Sequence, residues 1–257
     1  MERKPNLKKI FGRILQNLSR TAQHQAFYLQ SQMDINPKSR FYNLSFIEKT
    51  GGFYILNDPI KREIISFDTP WDLVRRDMLI LILKDIINNQ INGDLVELGV
   101  YKGYTAKLIH YYAPDRKLFL FDTYEGFDKK DLEIEKMRTG HNIGSHFKSE
   151  GVQAVIEYIK PRNNNVIPVM GVFPKSIPED FNDKIFSFVN IDMDLYEPTI
   201  SSLNYFYPKM SKGGYLLIHD YNSWSGAREA VDEFFQGKPE SPIPMPDKNG
   251  SALIKKL

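Results

Sequence analysis

Asp94-Leu95-Val96-Glu97-Leu98-Gly99-Val100-Tyr101-Lys102-Gly103-Tyr104-Thr105 is the stretch that decides how this chain is read. An apolar run broken by one acid ends on a glycine, a second glycine follows four positions later, and a helical pattern begins. That order predicts a buried strand, a tight turn and a helix N-terminus. Glycine lets the backbone take positive φ and lets a ligand come close to the main chain. The first turn of a helix offers unpaired N–H groups beside it. In an open α/β sheet, such a turn after the first strand is where a nucleotide-like ligand sits. The spacing is G-x-x-x-G, so neither the dinucleotide fingerprint nor the P-loop fits.

Three further apolar runs end in chemistry. Lys117–Phe121 ends on Asp122, nineteen residues beyond Gly103, where an acid at the second strand tip can accept ribose hydroxyls. Phe186–Ile191 ends on Asp192-Met193-Asp194, and Gly213–Ile218 ends on His219-Asp220. In a parallel sheet all these tips share one edge. Glu97, Asp122, Asp192, Asp194, His219 and Asp220 are therefore expected around one crevice.

These residues carry a resemblance. Val96–Gly103 is similar to the cofactor motif of class I S-adenosylmethionine methyltransferases. Phe121-Asp122-Thr123-Tyr124-Glu125-Gly126-Phe127, Ile191–Thr199, Lys212–Tyr215 and His219-Asp220-Tyr221 narrow it to the macrocin O-methyltransferase (TylF/MycF-like) family, over roughly residues 68–236. The resemblance implies an α/β, Rossmann-like class I fold. Its sheet has seven mostly parallel strands, helices on both faces and a C-terminal antiparallel hairpin. It implies methyl transfer from S-adenosylmethionine to a hydroxyl of a sugar or glycosylated natural product, with Mg²⁺ or Mn²⁺ assistance.

Cofactor contacts are then expected from Glu97, Gly99, Tyr101, Gly103 and Thr105 on the methionine side, and from Asp122 and Thr123 at the ribose. Gly171, Val172 and Phe173 match the adenine-side turn. Asp192 and Asp220 match carboxylate positions of the family's metal motif, and Asp192 is read as both ligand and base. The family usually shows Asp-Asp-Tyr where this chain has His219-Asp220-Tyr221. His219 is therefore a ligand, a general base, or a sign of weakened metal binding. Asp194 is read as a cap on the helix that starts near Pro198, with metal ligation as the alternative, and His24 and His110 as structural.

The bulk properties agree with an enzyme of this kind. A chain of 257 residues can bury a full core, and a net charge of +2 gives no field pointing to nucleic acid. The absence of cysteine excludes disulfides and thiolate metal sites and fits a cytoplasmic, reducing compartment. No apolar run reaches the ~18 residues of a membrane span. The partners expected are a small-molecule or glycan acceptor and a second copy of the chain.

Two parts are expected along the chain: an N-terminal extension over 1–67 and the methyltransferase domain over 68–257. In the first, Leu7, Ile10, Phe11, Ile14, Leu15 and Leu18 fall at helical spacing among Lys8, Lys9 and Arg13. This basic amphipathic helix either packs on protein, its own domain or a second subunit, or touches a membrane surface. Residues 34–68 read as loops and short elements that cover the site. Thr69-Pro70-Trp71-Asp72 reads as a helix start.

After it, strands near 94–98, 117–122, 165–169, 185–192 and 214–219 alternate with helices, the pattern of a parallel sheet covered on both faces. Asn249-Gly250 in the tail favours a hairpin turn. Tyr124–Lys148, charged and poor in periodic apolar residues, reads as a mobile loop closing over the cofactor; its His141 and His146 could reach a substrate.

Other readings with the same residues are a methyltransferase of a phenol or catechol, or a catalytically silent cofactor-binding module. A nucleotide-sugar dehydrogenase or epimerase is disfavoured by the missing G-x-G-x-x-G.

Overall fold

The computed structural model describes residues 72–144 and 146–257. The expected amphipathic helix, the covering segment 34–68 and the Thr69-Pro70-Trp71 helix start lie outside the described residues, as does His24.

Helix α1 (Leu73–Asn88) leads into β1 (Asp94–Leu98), α2 (Tyr104–Tyr112) and β2 (Leu118–Asp122). Helices α3 (Lys129–Thr139) and α4 (Val152–Ile159) precede β3 (Val166–Met170) and β4 (Phe186–Ile191). Then follow α5 (Tyr196–Phe206), β5 (Met210–Ile218), α6 (Ser225–Phe234), β6 (Ile243–Pro244) and β7 (Ala252–Lys255). The sheet has seven strands in the order β3-β2-β1-β4-β5-β7-β6. The first five are parallel, and β7 pairs antiparallel with both β5 and β6. This is the sheet the resemblance implies.

The strands are apolar because they are covered on both faces. Every residue of β4 is buried, and so are Leu118–Phe121 of β2. One side of the core is rich in phenylalanine: Phe119 and Phe121 of the sheet meet Phe181 edge to face, at ring centroid distances of 4.6 and 5.5 Å. Phe206 of α5 meets Phe186 in the same way at 5.1 Å. Such T-shaped pairs add about 0.5–1.5 kcal/mol each beyond their buried area.

Helix α1 departs from the amphipathic norm. Met78, Leu79, Ile80, Ile82, Leu83 and Ile86 are buried, and so are Arg75, Arg76 and Asp77. Its outer end is tied to the sheet through Asp85, which accepts hydrogen bonds from the Tyr215 hydroxyl at 2.7 Å and Lys255 Nζ at 3.1 Å.

Three expectations are corrected. The segment after β2 is not a plain loop, since it holds α3. Asp128 caps that helix by accepting the Lys130 N–H, and Gly140 ends it at φ 75°. Strand β5 begins four residues earlier than its apolar pattern suggested, passing Gly213 at φ 82° with a register shift against β4. The turn between β6 and β7 is not a two-residue Asn-Gly turn. It spans seven residues, and Asp247 closes it by accepting both the N–H and the hydroxyl of Ser251.

Candidate active site

The parallel strands β1, β2, β4 and β5 end on one edge of the sheet. A cavity of about 280 Å³ opens there, bounded also by α3 and by the N-terminal turns of α5 and α6. Two close approaches shape the turn after β1. At Gly99, a Cβ would lie 1.8 Å from the Asp192 carbonyl oxygen, so a side chain there would force the tips of β1 and β4 apart. Gly103, at φ 80°, starts α2, and a Cβ there would meet Val155 of α4 at 2.9 Å. Gly99 is needed for the approach of two strand tips, Gly103 for a left-handed turn and helix packing.

Asp122 holds this turn in shape. Its Oδ2 accepts the N–H groups of Val100 and Tyr101, both at 2.7 Å, and its Oδ1 accepts that of Tyr124 at 2.6 Å. Oδ2 is thereby saturated, and Oδ1 keeps one acceptor position toward the cavity it lines. Thr123 also lines the cavity and ties the next turn by donating its hydroxyl to Gly126 O at 2.7 Å.

Gly99, Tyr101, Gly171, Val172 and Phe173 line the same cavity. Glu97, Gly103 and Thr105 are not part of its wall. Thr105 is buried in α2, and Glu97 lies beneath the floor, accepting Asn190 Nδ2 at 3.1 Å. Burial and then the charge of Asp192 push the Glu97 carboxyl well above the usual carboxylate range, which favours its neutral form.

Across the cavity stands a second cluster. His219 Nδ1 lies 2.8 Å from Asp192 Oδ1 and 3.0 Å from Asp220 Oδ2. Arg75 Nη2 donates to Asp192 Oδ2 at 2.9 Å. Burial would raise the Asp192 carboxyl, but His219 and Arg75 outweigh it and hold the group well below the usual range. Burial and Arg75 push the His219 imidazole down; its bonds to Asp192 and Asp220 outweigh both and bring it up to about 9.

Asp194, at φ 60°, belongs to this cluster. Burial, the charge of Asp192 and a hydrogen bond to Asp220 push its carboxyl well above the usual range. It does not cap α5, as its spacing suggested.

The cap comes from α3. Glu135, fully buried, accepts the Tyr196 N–H at 2.8 Å through Oε2. The same carboxylate lies against Gly226 in the first turn of α6, where a Cβ would meet it at 2.1 Å. One carboxylate thus sits at the N-terminal ends of two helices, where their dipoles favour negative charge. Arg138 secures the next turn, stacking on the Tyr196 ring at 3.5 Å and pairing with Glu229 and Glu233 of α6.

The rim is aromatic: Phe147 meets Tyr101 and Phe127 edge to face, and Phe127 meets Trp224. His141 and His146 are exposed and do not line the cavity, and His110 is buried with Nε2 accepting the Arg162 N–H at 3.0 Å. Arg75, Glu135 and Trp224 were not singled out from the sequence.

Three donor groups converge where a metal could be held: Asp192, His219 and Asp220, with ligand atoms within 4.8 Å of one another. Asp220 Oδ1 is buried without a hydrogen-bond partner. The two carboxylates are donors suited to Mg²⁺ or Mn²⁺, whereas the imidazole suits Mn²⁺ or Zn²⁺ better than Mg²⁺. No helix among the described residues is long and apolar enough to cross a membrane.

Comparison with known proteins bears on the same residues. A family model described as macrocin O-methyltransferase (TylF) matches residues 73–253. A demethyldecarbamoylnovobiocin O-methyltransferase of Streptomyces niveus is 29% identical over 164 residues, 59% of this chain and 62% of that protein. A tetracenomycin-C rhamnosyl 4'-O-methyltransferase of Streptomyces olivaceus is 27% identical over 172 residues, 63% of this chain and 65% of that protein. The chain therefore spans less than two thirds of the length of these curated relatives. Among solved structures, the O-methyltransferase NovP superposes with a TM-score of 0.63 at 20% identity, covering 92% of this chain and 99% of its own. The calicheamicin methyltransferase CalS11 superposes with a TM-score of 0.59 at 19% identity, covering 74% of this chain and 80% of its own. These likenesses establish the class I methyltransferase fold.

Proposed function

Because the chain belongs to the macrocin O-methyltransferase (TylF) family, we propose that it transfers a methyl group from S-adenosylmethionine to a hydroxyl of a sugar or other glycosylated small molecule. The observation that carries this reading is one cavity with two chemically distinct walls. Asp122, Gly99 and Tyr101 form a turn suited to a nucleoside, and Asp192, His219 and Asp220 form a proton-handling cluster opposite.

The reaction needs alignment and a base. As the acceptor oxygen attacks the methyl carbon, the carbon–sulfur bond breaks, its electron pair stays on sulfur, and S-adenosylhomocysteine leaves. The hydroxyl proton passes to Asp192, which His219 and Arg75 make a weak base, so the hydroxyl must be acidified for the transfer. Arg75 and His219 fix that carboxylate from two sides, so the acceptor oxygen meets a base of set direction.

A sugar hydroxyl ionises poorly at neutral pH. A divalent cation held by Asp192, His219 and Asp220 would supply the acidification that Asp192 alone lacks. Trp224 and Phe127 at the rim offer apolar faces against which a sugar ring or aglycone can lie.

A second reading, without metal, rests on His219. Its ring nitrogen already stands between the two carboxylates, at hydrogen-bond distance from both. With Nδ1 keeping its proton between Asp192 and Asp220, the imidazole deprotonated at Nε2 is then the base.

Activity assays with S-adenosylmethionine and a panel of glycosylated small molecules and simple phenols test the main reading, run with and without EDTA. Methylation of the glycosides, lost with EDTA and restored by Mg²⁺ or Mn²⁺, supports it. Methylation unaffected by EDTA supports the metal-free reading, preference for phenols moves the acceptor class, and cofactor binding without methylation indicates a silent module. The proposal extends to a homo-oligomer working in the cytoplasm, of which light scattering on the purified chain tests the first part.

A further inference from the structure

Among the described residues six carboxylates line the cavity, and five of them are hydrogen-bonded. Asp122 is held by three backbone N–H groups, and Asp128 by the Lys130 N–H. Asp192 is bonded to Arg75 and His219, Asp220 to His219, and Asp194 to Asp220. Asp131 is the sixth. It is half-buried, and its side chain has no hydrogen-bond partner among the described residues.

Its place explains why it lines the cavity at all. Asp131 is the third residue of α3, after the Asp128 cap. There an acid often reaches back to the cap's own N–H, and Asp131 does not. It lies one turn before Glu135, on the same face, and Glu135 is docked on the first N–H of α5. Asp131 is thereby carried to the start of α5, near Glu197, and it lines the cavity together with Pro198, Val172 and Phe173. Burial, and next the charges of Asp128 and Glu197, push the Asp131 carboxyl up to about 6, with Lys130 and Lys175 acting the other way. A half-buried acceptor without a protein donor is open to a donor on a ligand.

We propose that Asp131 reads the adenine ring of the methyl donor, its carboxylate accepting a hydrogen bond from the exocyclic amino group. This rests on the methyl-donor reading above and deepens it. With the ribose at Asp122, the purine extends toward Val172 and Pro198, and the amino group is the donor its outer edge presents. A 6-oxo purine presents an acceptor at the same position, which the carboxylate repels. Asp131 therefore selects adenine over hypoxanthine.

The test is calorimetric and uses no acceptor. S-adenosylhomocysteine and S-inosylhomocysteine are titrated into the full chain and into Asp131→Asn, with circular dichroism confirming that both are folded. Wild type should bind the adenosyl compound about tenfold or more tighter than the inosyl one, the discrimination expected of one charge-assisted hydrogen bond. Asp131→Asn, whose amide can turn its donor to a 6-oxo group, should lose or invert that preference. Wild-type affinity for S-adenosylhomocysteine should rise as pH increases through about 6, as the carboxylate form takes over, and the variant's should stay flat. If the wild type binds S-adenosylhomocysteine but does not discriminate, or if Asp131→Asn changes neither affinity, the inference is wrong while the methyl-donor reading stands. If neither compound binds the wild type, the methyl-donor reading falls with it.

Discussion

Arg75 and His219 grip opposite oxygens of Asp192, the guanidinium at 2.9 Å from Oδ2 and the imidazole at 2.8 Å from Oδ1. The carboxylate is ionised and directed, and either cation's loss should be felt by the other. Replacing Arg75 with Ala leaves a largely buried charge with one partner, a change that costs about 3–5 kcal/mol in comparable pairs. We expect a lower melting temperature and a slower methyl transfer for Arg75→Ala. A melting curve coincident with wild type would show that the pair carries no structural weight.

Asp192→Asn and Asp220→Asn should each abolish turnover and leave S-adenosylhomocysteine affinity nearly unchanged, since neither lies on the nucleoside wall. Calorimetry and turnover measured on the same preparations separate the two effects. Affinity falling in step with turnover would place these aspartates on the cofactor instead.

Asp122→Ala should weaken cofactor binding and destabilise the fold together. The same carboxylate holds Val100, Tyr101 and Tyr124 by their N–H groups, and leaving such donors unpaired costs about 1–3 kcal/mol each where they are buried. Chemical denaturation would detect it. A variant with wild-type stability and weakened binding would mean that the ribose contact outweighs the turn.

Gly226→Ala should loosen α3. The added carbon would stand 2.1 Å from Glu135 Oε2 and 2.4 Å from Oε1, so the carboxylate must leave the two helix starts it serves. Hydrogen exchange over residues 129–139 should quicken relative to wild type. Equal protection in both proteins would show that Arg138 and its partners alone hold the helix.

Much of this was legible in the sequence because strand tips announce themselves: apolar runs ending in Asp122, Asp192 and His219-Asp220 can be read one strand at a time. The docking of α3 was not legible for the same reason. It is held by Glu135 and Arg138 rather than by an apolar stripe, so periodicity is blind to it, although Asp128 and Gly140 bracket it as a start and stop signal. Asp194 misled because a carboxylate just before a helix usually caps it. Here a residue sixty-one positions earlier does so, and no local spacing reveals such a partner. Arg75 was hidden likewise, its meaning residing in a contact across 117 residues.

The most direct measurement is mass spectrometry of glycosylated small molecules incubated with S-adenosylmethionine and either the wild-type chain or Asp192→Asn. The account predicts a methyl ether on a sugar hydroxyl with the wild type, none with the variant, and equal S-adenosylhomocysteine affinity for both. Equal methylation by the two proteins would contradict the role of Asp192, and a wild-type chain that binds the cofactor product but methylates no glycoside would contradict the proposed activity.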